Sequence, residues 1–76
     1  MNAERRNNLN ALIGQLEEIK SIVETTRDEE QEAYDNMPES FQNGERGEQS
    51  QSAIDAMESA VASLEEAVSN IEAAKE

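Results

Sequence analysis

The chain has no cysteine, histidine or tryptophan. Without thiol or imidazole there is no disulfide, no thiolate or imidazole nucleophile, and none of the common zinc cages. Basic residues are scarce as well: 6 Lys and Arg stand against 18 Asp and Glu, a net charge of -12. A surface of that sign repels phosphate, which excludes direct nucleic-acid binding of the ordinary kind and favours partners with a basic surface. Long apolar runs are missing too, since stretches such as Ala60-Val61-Ala62 fall far short of the ~20 residues of a membrane helix. No signal-type apolar segment follows Met1, so a soluble cytoplasmic protein without membrane contact is expected. Leu, Ile, Val and Phe together supply only 13 of the 76 residues, a share that, with this charge, falls in the compositional window of disordered chains. Only residue order can lift the chain out of that window.

Order does so. Leu9, Leu12, Leu16, Ile19, Val23, Thr26, Glu30, Ala33 and Met37 follow an unbroken 3-4 spacing, the seam of a coiled-coil-like helix that loosens where Thr26 and Glu30 occupy seam positions. Asn2 is a suitable N-cap, and Pro38 pushes Met37 out of the α region, so the first helix is expected over about residues 2–36. A second seam runs through Ile54, Met57, Val61, Leu64, Val68 and Ile71, giving a second helix over about 47–75. Between them a connector over about 37–46 concentrates turn chemistry, with Asn43-Gly44 suited to positive φ.

So short a connector folds the helices back as an antiparallel two-helix hairpin, one all-α domain over residues 1–76. Pairing about the turn sets Leu16 toward Val68 and Val23 toward Val61. It also sets Arg5 and Arg6 beside Glu72 and Glu76, in exposed pairs worth about 0 to 1 kcal/mol each. Ala53, Ala60, Ala67 and Ala74 recur every seven residues beside the second seam, and Ile13 and Ile22 lie beside the first. Apolar faces this wide want a second neighbour, which a homodimer forming a four-helix bundle would supply.

Few residues stand out chemically. Asp28 to Glu32 is the densest carboxylate cluster, but its helical register lacks the alternating donors and central glycine of a calcium loop, so no metal or other cofactor is expected. Glu29, Glu30 and Glu32 read instead as solvated helix face or as a docking surface for a basic partner. Phe41, the only Phe, is a hydrophobic plug over the helix pair or a partner-binding anchor. Arg46, between Gly44 and Gly47, is an apex salt-bridge partner or the start of an anion site. Tyr34 falls one residue off the seam and is expected to pack on Phe41 with its hydroxyl in water. No nucleophile–base pair is present, and the paired carboxylates Glu17-Glu18 and Glu65-Glu66 lie exposed, where nothing would raise a pKa for acid–base work. A non-enzymatic protein is expected.

The stretch Arg27-Asp28-Glu29-Glu30-Gln31-Glu32-Ala33-Tyr34-Asp35-Asn36-Met37-Pro38-Glu39-Ser40, with Glu45-Arg46-Gly47-Glu48 and Ala53-Ile54-Asp55, resembles a group of short acidic helical proteins of phages and prophages, most without an assigned function. The likeness covers residues 27 to 66. It implies a phage accessory protein in the cytoplasm of a bacterial host, with no catalytic residues to carry over. Two functional classes follow. One is a binding protein that blocks or tethers a host or phage protein through its acidic surface, an anti-defence inhibitor or, in the strong form, a nucleic-acid mimic. The other is a coiled-coil oligomerisation or scaffolding element whose charge confers only solubility.

Overall fold

A computed structural model describes all 76 residues. Three helices account for nearly the whole chain: α1 (Ala3–Asp35), the single turn α2 (Glu39–Gln42) and α3 (Glu45–Ala74). The first and third pack along each other as an antiparallel pair, and no strand is present. The result is a rod of 58 × 14 × 11 Å with a radius of gyration of 17.2 Å, against roughly 11 Å for a compact chain of this length.

Each end of α1 is closed by its own sequence. Asn2 is extended and its Oδ1 accepts from the Arg5 backbone N–H at 2.9 Å, which satisfies one of the helix's orphan donors. At the other end the Asn36 N–H donates to the Glu32 carbonyl and the Met37 N–H to the Tyr34 carbonyl. Pro38 stops the helix there. It also starts the next one: its φ of -56° suits the entry to a helix, and its carbonyl accepts from Phe41 and Gln42 to close α2.

The connector therefore differs from a plain bend. No residue has positive φ. Asn43 is helical at φ -86° and Gly44 extended at φ -103°, ψ -165°, so the chain turns through α2 and one extended residue rather than through a left-handed Asn-Gly. As a consequence α3 begins at Glu45, two residues before the expected start, with Gly44 as its N-cap and Glu45 and Glu48 in its first turn, where the helix dipole favours acidic side chains.

The glycine that the apex requires is Gly47. It is buried, and a Cβ built on it would overlap the backbone of Gln42, carbonyl and Cα included. The last residue of α2 thus rests directly on the first turn of α3. From that position the Gln42 side chain turns back, and its Nε2 donates to the Tyr34 carbonyl at 2.9 Å. Gln42 joins all three helices.

Which side of α1 faces α3 is the chief correction to the sequence reading. Leu9, Leu16, Val23, Glu30 and Met37 do turn inward, but the positions between them are Ile13, Lys20, Arg27 and Tyr34 rather than Leu12, Ile19, Thr26 and Ala33. Leu12 and Ile19 are 45% and 47% exposed, and Thr26 donates its hydroxyl back to the Ile22 carbonyl at 2.9 Å instead of entering the seam. Tyr34, read as lying off the seam, lies in it. The α3 seam stands as read, with Ile54 and Val61 its buried hydrophobic residues. The cause lies in the shared positions: a 3-4 series and a 4-3 series both contain Leu9, Leu16 and Val23, so periodicity alone leaves the flank undecided.

Gly47→Ala is expected to lower stability by about 1 to 3 kcal/mol, because the added methyl meets backbone that cannot move aside. Gly14, mid-helix with open space around it, is the control: Gly14→Ala should raise stability by up to about 1 kcal/mol. Urea denaturation of the two variants, followed by circular dichroism, measures both signs.

Candidate functional site

Lys20 fixes which sides of the two long helices coincide. From its seam position the ammonium pairs with Glu17 on its own helix at 3.4 Å and with Glu65 on α3 at 3.8 Å. Glu17 and Glu24 therefore share a flank of the hairpin with Glu65, and with Glu58 and Glu72, which lie two turns to either side of Glu65 at heptad spacing. Leu12 and Ile19 flank the α1 seam on the opposite side, and Ala53, Ala60 and Ala67 flank the α3 seam on the opposite side from Glu58 and Glu65. The hairpin thus has one acidic flank and one apolar flank.

Glu17 acts most strongly on Lys20, with Glu65 and Glu24 adding to it. Together they hold the ammonium above its ordinary range, and partial desolvation pulls the other way. Two further polar side chains line the seam. Arg27 lays its stem along the interface and binds Asp28 Oδ1 at 3.0 Å. The Ser50 hydroxyl, on a buried residue, donates to Glu30 Oε2. At the open end Arg6 does not pair with Glu72 or Glu76; its guanidinium donates to the carbonyls of Lys75 and Met1 at 2.9 and 2.8 Å. Lys75 takes Glu72 at 3.1 Å and Asn10 at 2.8 Å. These backbone carbonyls take the Arg6 guanidinium in place of the expected carboxylates, and Arg5 makes no ion pair either, which nothing in the structure explains.

The six residues singled out from the sequence fall into separate places. Glu29 and Glu32 are exposed on the outer surface of α1. Glu30 is not on that surface, because its carboxylate faces the seam and is engaged by Ser50. Phe41 and Arg46 do come together at the apex, with the guanidinium 5.6 Å from the ring centroid, a cation–π contact. Arg46 makes no salt bridge, contrary to the apex ion pair read from its acidic neighbours. Phe41 is 47% exposed, so half of its surface remains available. Tyr34 is half-buried nearby and contributes its carbonyl to the Gln42 cap. The surface has no pocket, and no three metal-ligating side chains cluster. Nothing in the sequence marks Gln42, Ser50 or Lys20, and Gly47 stands out only as a neighbour of Arg46, because each holds these features in place through a contact made across the fold.

No family model, curated protein or solved structure matches the chain.

The raised Lys20 ammonium has a defined sign. A cation stabilised in the folded state adds stability that is fully present below the ordinary lysine value of 10.5 and is lost as pH rises through the folded-state value. The melting temperature of Lys20→Gln should therefore lie below that of the wild type by a constant margin between pH 6 and 9, and the margin should close at more alkaline pH. A margin that widened with pH would contradict the Glu17–Lys20–Glu65 arrangement.

Proposed function

We propose that the chain is a non-enzymatic binding protein, an accessory protein of phage type, that works as a homodimer and docks an acidic helical surface on a basic protein partner to block or tether it. The observation that carries this reading is the sorting of side chains. Glu17, Glu24, Glu58, Glu65 and Glu72 lie in rows along one flank, and the apolar residues left over from the seam lie along the other. Charge that served only solubility would need no such segregation. It would also need less of it: about 2 to 8 net charges suffice for a small domain, and this one carries -12.

A potential of that strength along a rod steers a basic protein toward it and suppresses acidic competitors. Rows of carboxylates at heptad spacing also offer a basic groove a substitute for a phosphate backbone, which is how a nucleic-acid mimic would occupy a nuclease or DNA-binding protein. The apex adds a second kind of contact. Phe41 under Arg46 is a small aromatic anchor with a polar rim, the composition of an interface centre. The resemblance of residues 27 to 66 to short acidic phage proteins supports a bacterial cytoplasm as the setting.

Immobilised protein exposed to bacterial lysate should retain a partner at low salt and release it as salt screens the contact. Glu58→Lys combined with Glu65→Lys should abolish retention, and so should Glu29→Lys combined with Glu32→Lys if the outer face of α1 takes part. Phe41→Ala and Arg46→Ala, scored for retention and for melting temperature, test the apex separately. Retention unaffected by salt and by all of these changes would contradict the proposal and leave the hairpin as a scaffolding element.

A further inference from the structure

The dimer named above needs a face, and the apolar flank supplies it. Leu12, Ile19 and Ile22 are 45%, 47% and 59% exposed, large aliphatic surface that the hairpin's own core leaves uncovered. Ala60 and Ala67 continue the same flank onto α3. The accessible surface is 5297 Å², whereas a compact monomer of 8.4 kDa exposes roughly 4600 Å². The excess of roughly 700 Å² is close to the ~800 Å² that each partner contributes to a standard interface.

Charge selects the orientation. Residues 24–60, the apex half, hold eleven carboxylates and two arginines; the rest of the chain holds seven carboxylates and four of the six cations. Two hairpins facing each other with their apexes at the same end would bring the two strongly acidic halves together at interface distance. With the apexes at opposite ends, those halves point away from each other, and the cation-richer open ends slide alongside the partner's acidic half. Arg5, exposed and without an ion pair in its own chain, moves toward carboxylates in that arrangement.

We propose that two copies pair through the flank bearing Leu12, Ile19, Ala60 and Ala67, with their apexes at opposite ends. This rests on the dimer reading and adds its geometry. Leu12 and Ile19 are seven residues apart, as are Ala60 and Ala67. The register that joins Glu30 to Ser50 sets the midpoints of the two pairs level along the rod. One two-fold axis across the rod at that level therefore brings Leu12 onto Ile19 of the partner subunit and Ala60 onto Ala67 of the partner subunit. The same patch serves both copies, as closed two-fold symmetry requires.

The absence of cysteine makes cross-linking unambiguous. Leu12→Cys chains mixed with Ile19→Cys chains should form a covalent heterodimer under mild oxidation. Leu12→Cys alone should not cross-link, since the two copies of that position would lie about 10 Å apart along the rod, beyond disulfide reach. If apexes lay at the same end, helix α1 would face α3 of its partner, and Leu12→Cys mixed with Ala67→Cys would cross-link instead. Sedimentation of the wild type separates the two levels of failure. A mass of twice 8.4 kDa with cross-linking only in the second mixture overturns the orientation and keeps the dimer. A mass of twice 8.4 kDa that Ile19→Glu leaves unchanged overturns the choice of flank. A single-chain mass at micromolar concentration overturns both.

Discussion

The backbone of Gln42 lying against Gly47 is the contact on which the rest of the hairpin depends. Only a residue without a Cβ can stand at position 47 while the end of α2 rests on it. That approach sets the distance and angle at which α3 leaves the apex. It also delivers the Gln42 amide to the carbonyl of Tyr34, so the C-terminal end of α1 is satisfied by the same residue whose backbone touches α3. The three helices are thereby joined at one point, and the antiparallel pair runs from there with its register already chosen.

From that register follow the polar contacts that break up the seam. Glu30 meets Ser50, and further out Lys20 meets Glu65. The Lys20–Glu65 pair could not form if α1 were turned to bury Leu12 and Ile19. These polar layers are poor sources of burial energy, and Ile54 and Val61 are the buried hydrophobic residues of the whole chain. What they provide is specificity: a seam of leucine and valine alone would slide or rotate at little cost, whereas displaced Lys20 or Glu30 would lose its partner. The same rotation sets an acidic flank apart from an apolar one, and gives the rod two different surfaces to offer.

Much of this was legible from residue order. The helical class, the antiparallel return, the Asn2 cap, the stop at Pro38 and the α3 seam all rest on local rules that the structure obeys. What was not legible was rotation. Leu12 and Ile13 are adjacent and both apolar, so no periodicity distinguishes them, and the choice rests on contacts made across the fold, at the apex and at the Lys20–Glu65 pair. The turn itself was misread for a related reason. Asn43-Gly44 has the composition of a left-handed turn, yet the segment Glu39–Gln42 coils first and leaves Gly44 merely extended. At the apex, Arg46 has acidic neighbours in sequence and an aromatic neighbour in space. Sequence adjacency favoured the ion pair, and the fold supplies the ring.

Within one chain Ile13 and Lys20, not Leu12 and Ile19, face α3. Methyl-labelled protein mixed with unlabelled protein, examined by isotope-filtered nuclear Overhauser spectroscopy, separates contacts inside a chain from those between chains. Ile13 should show strong intrachain contacts to Val68, and the Lys20 methylenes to Val61. Strong intrachain contacts from Leu12 to Val68 and from Ile19 to Val61, with Lys20 showing none, would contradict the account.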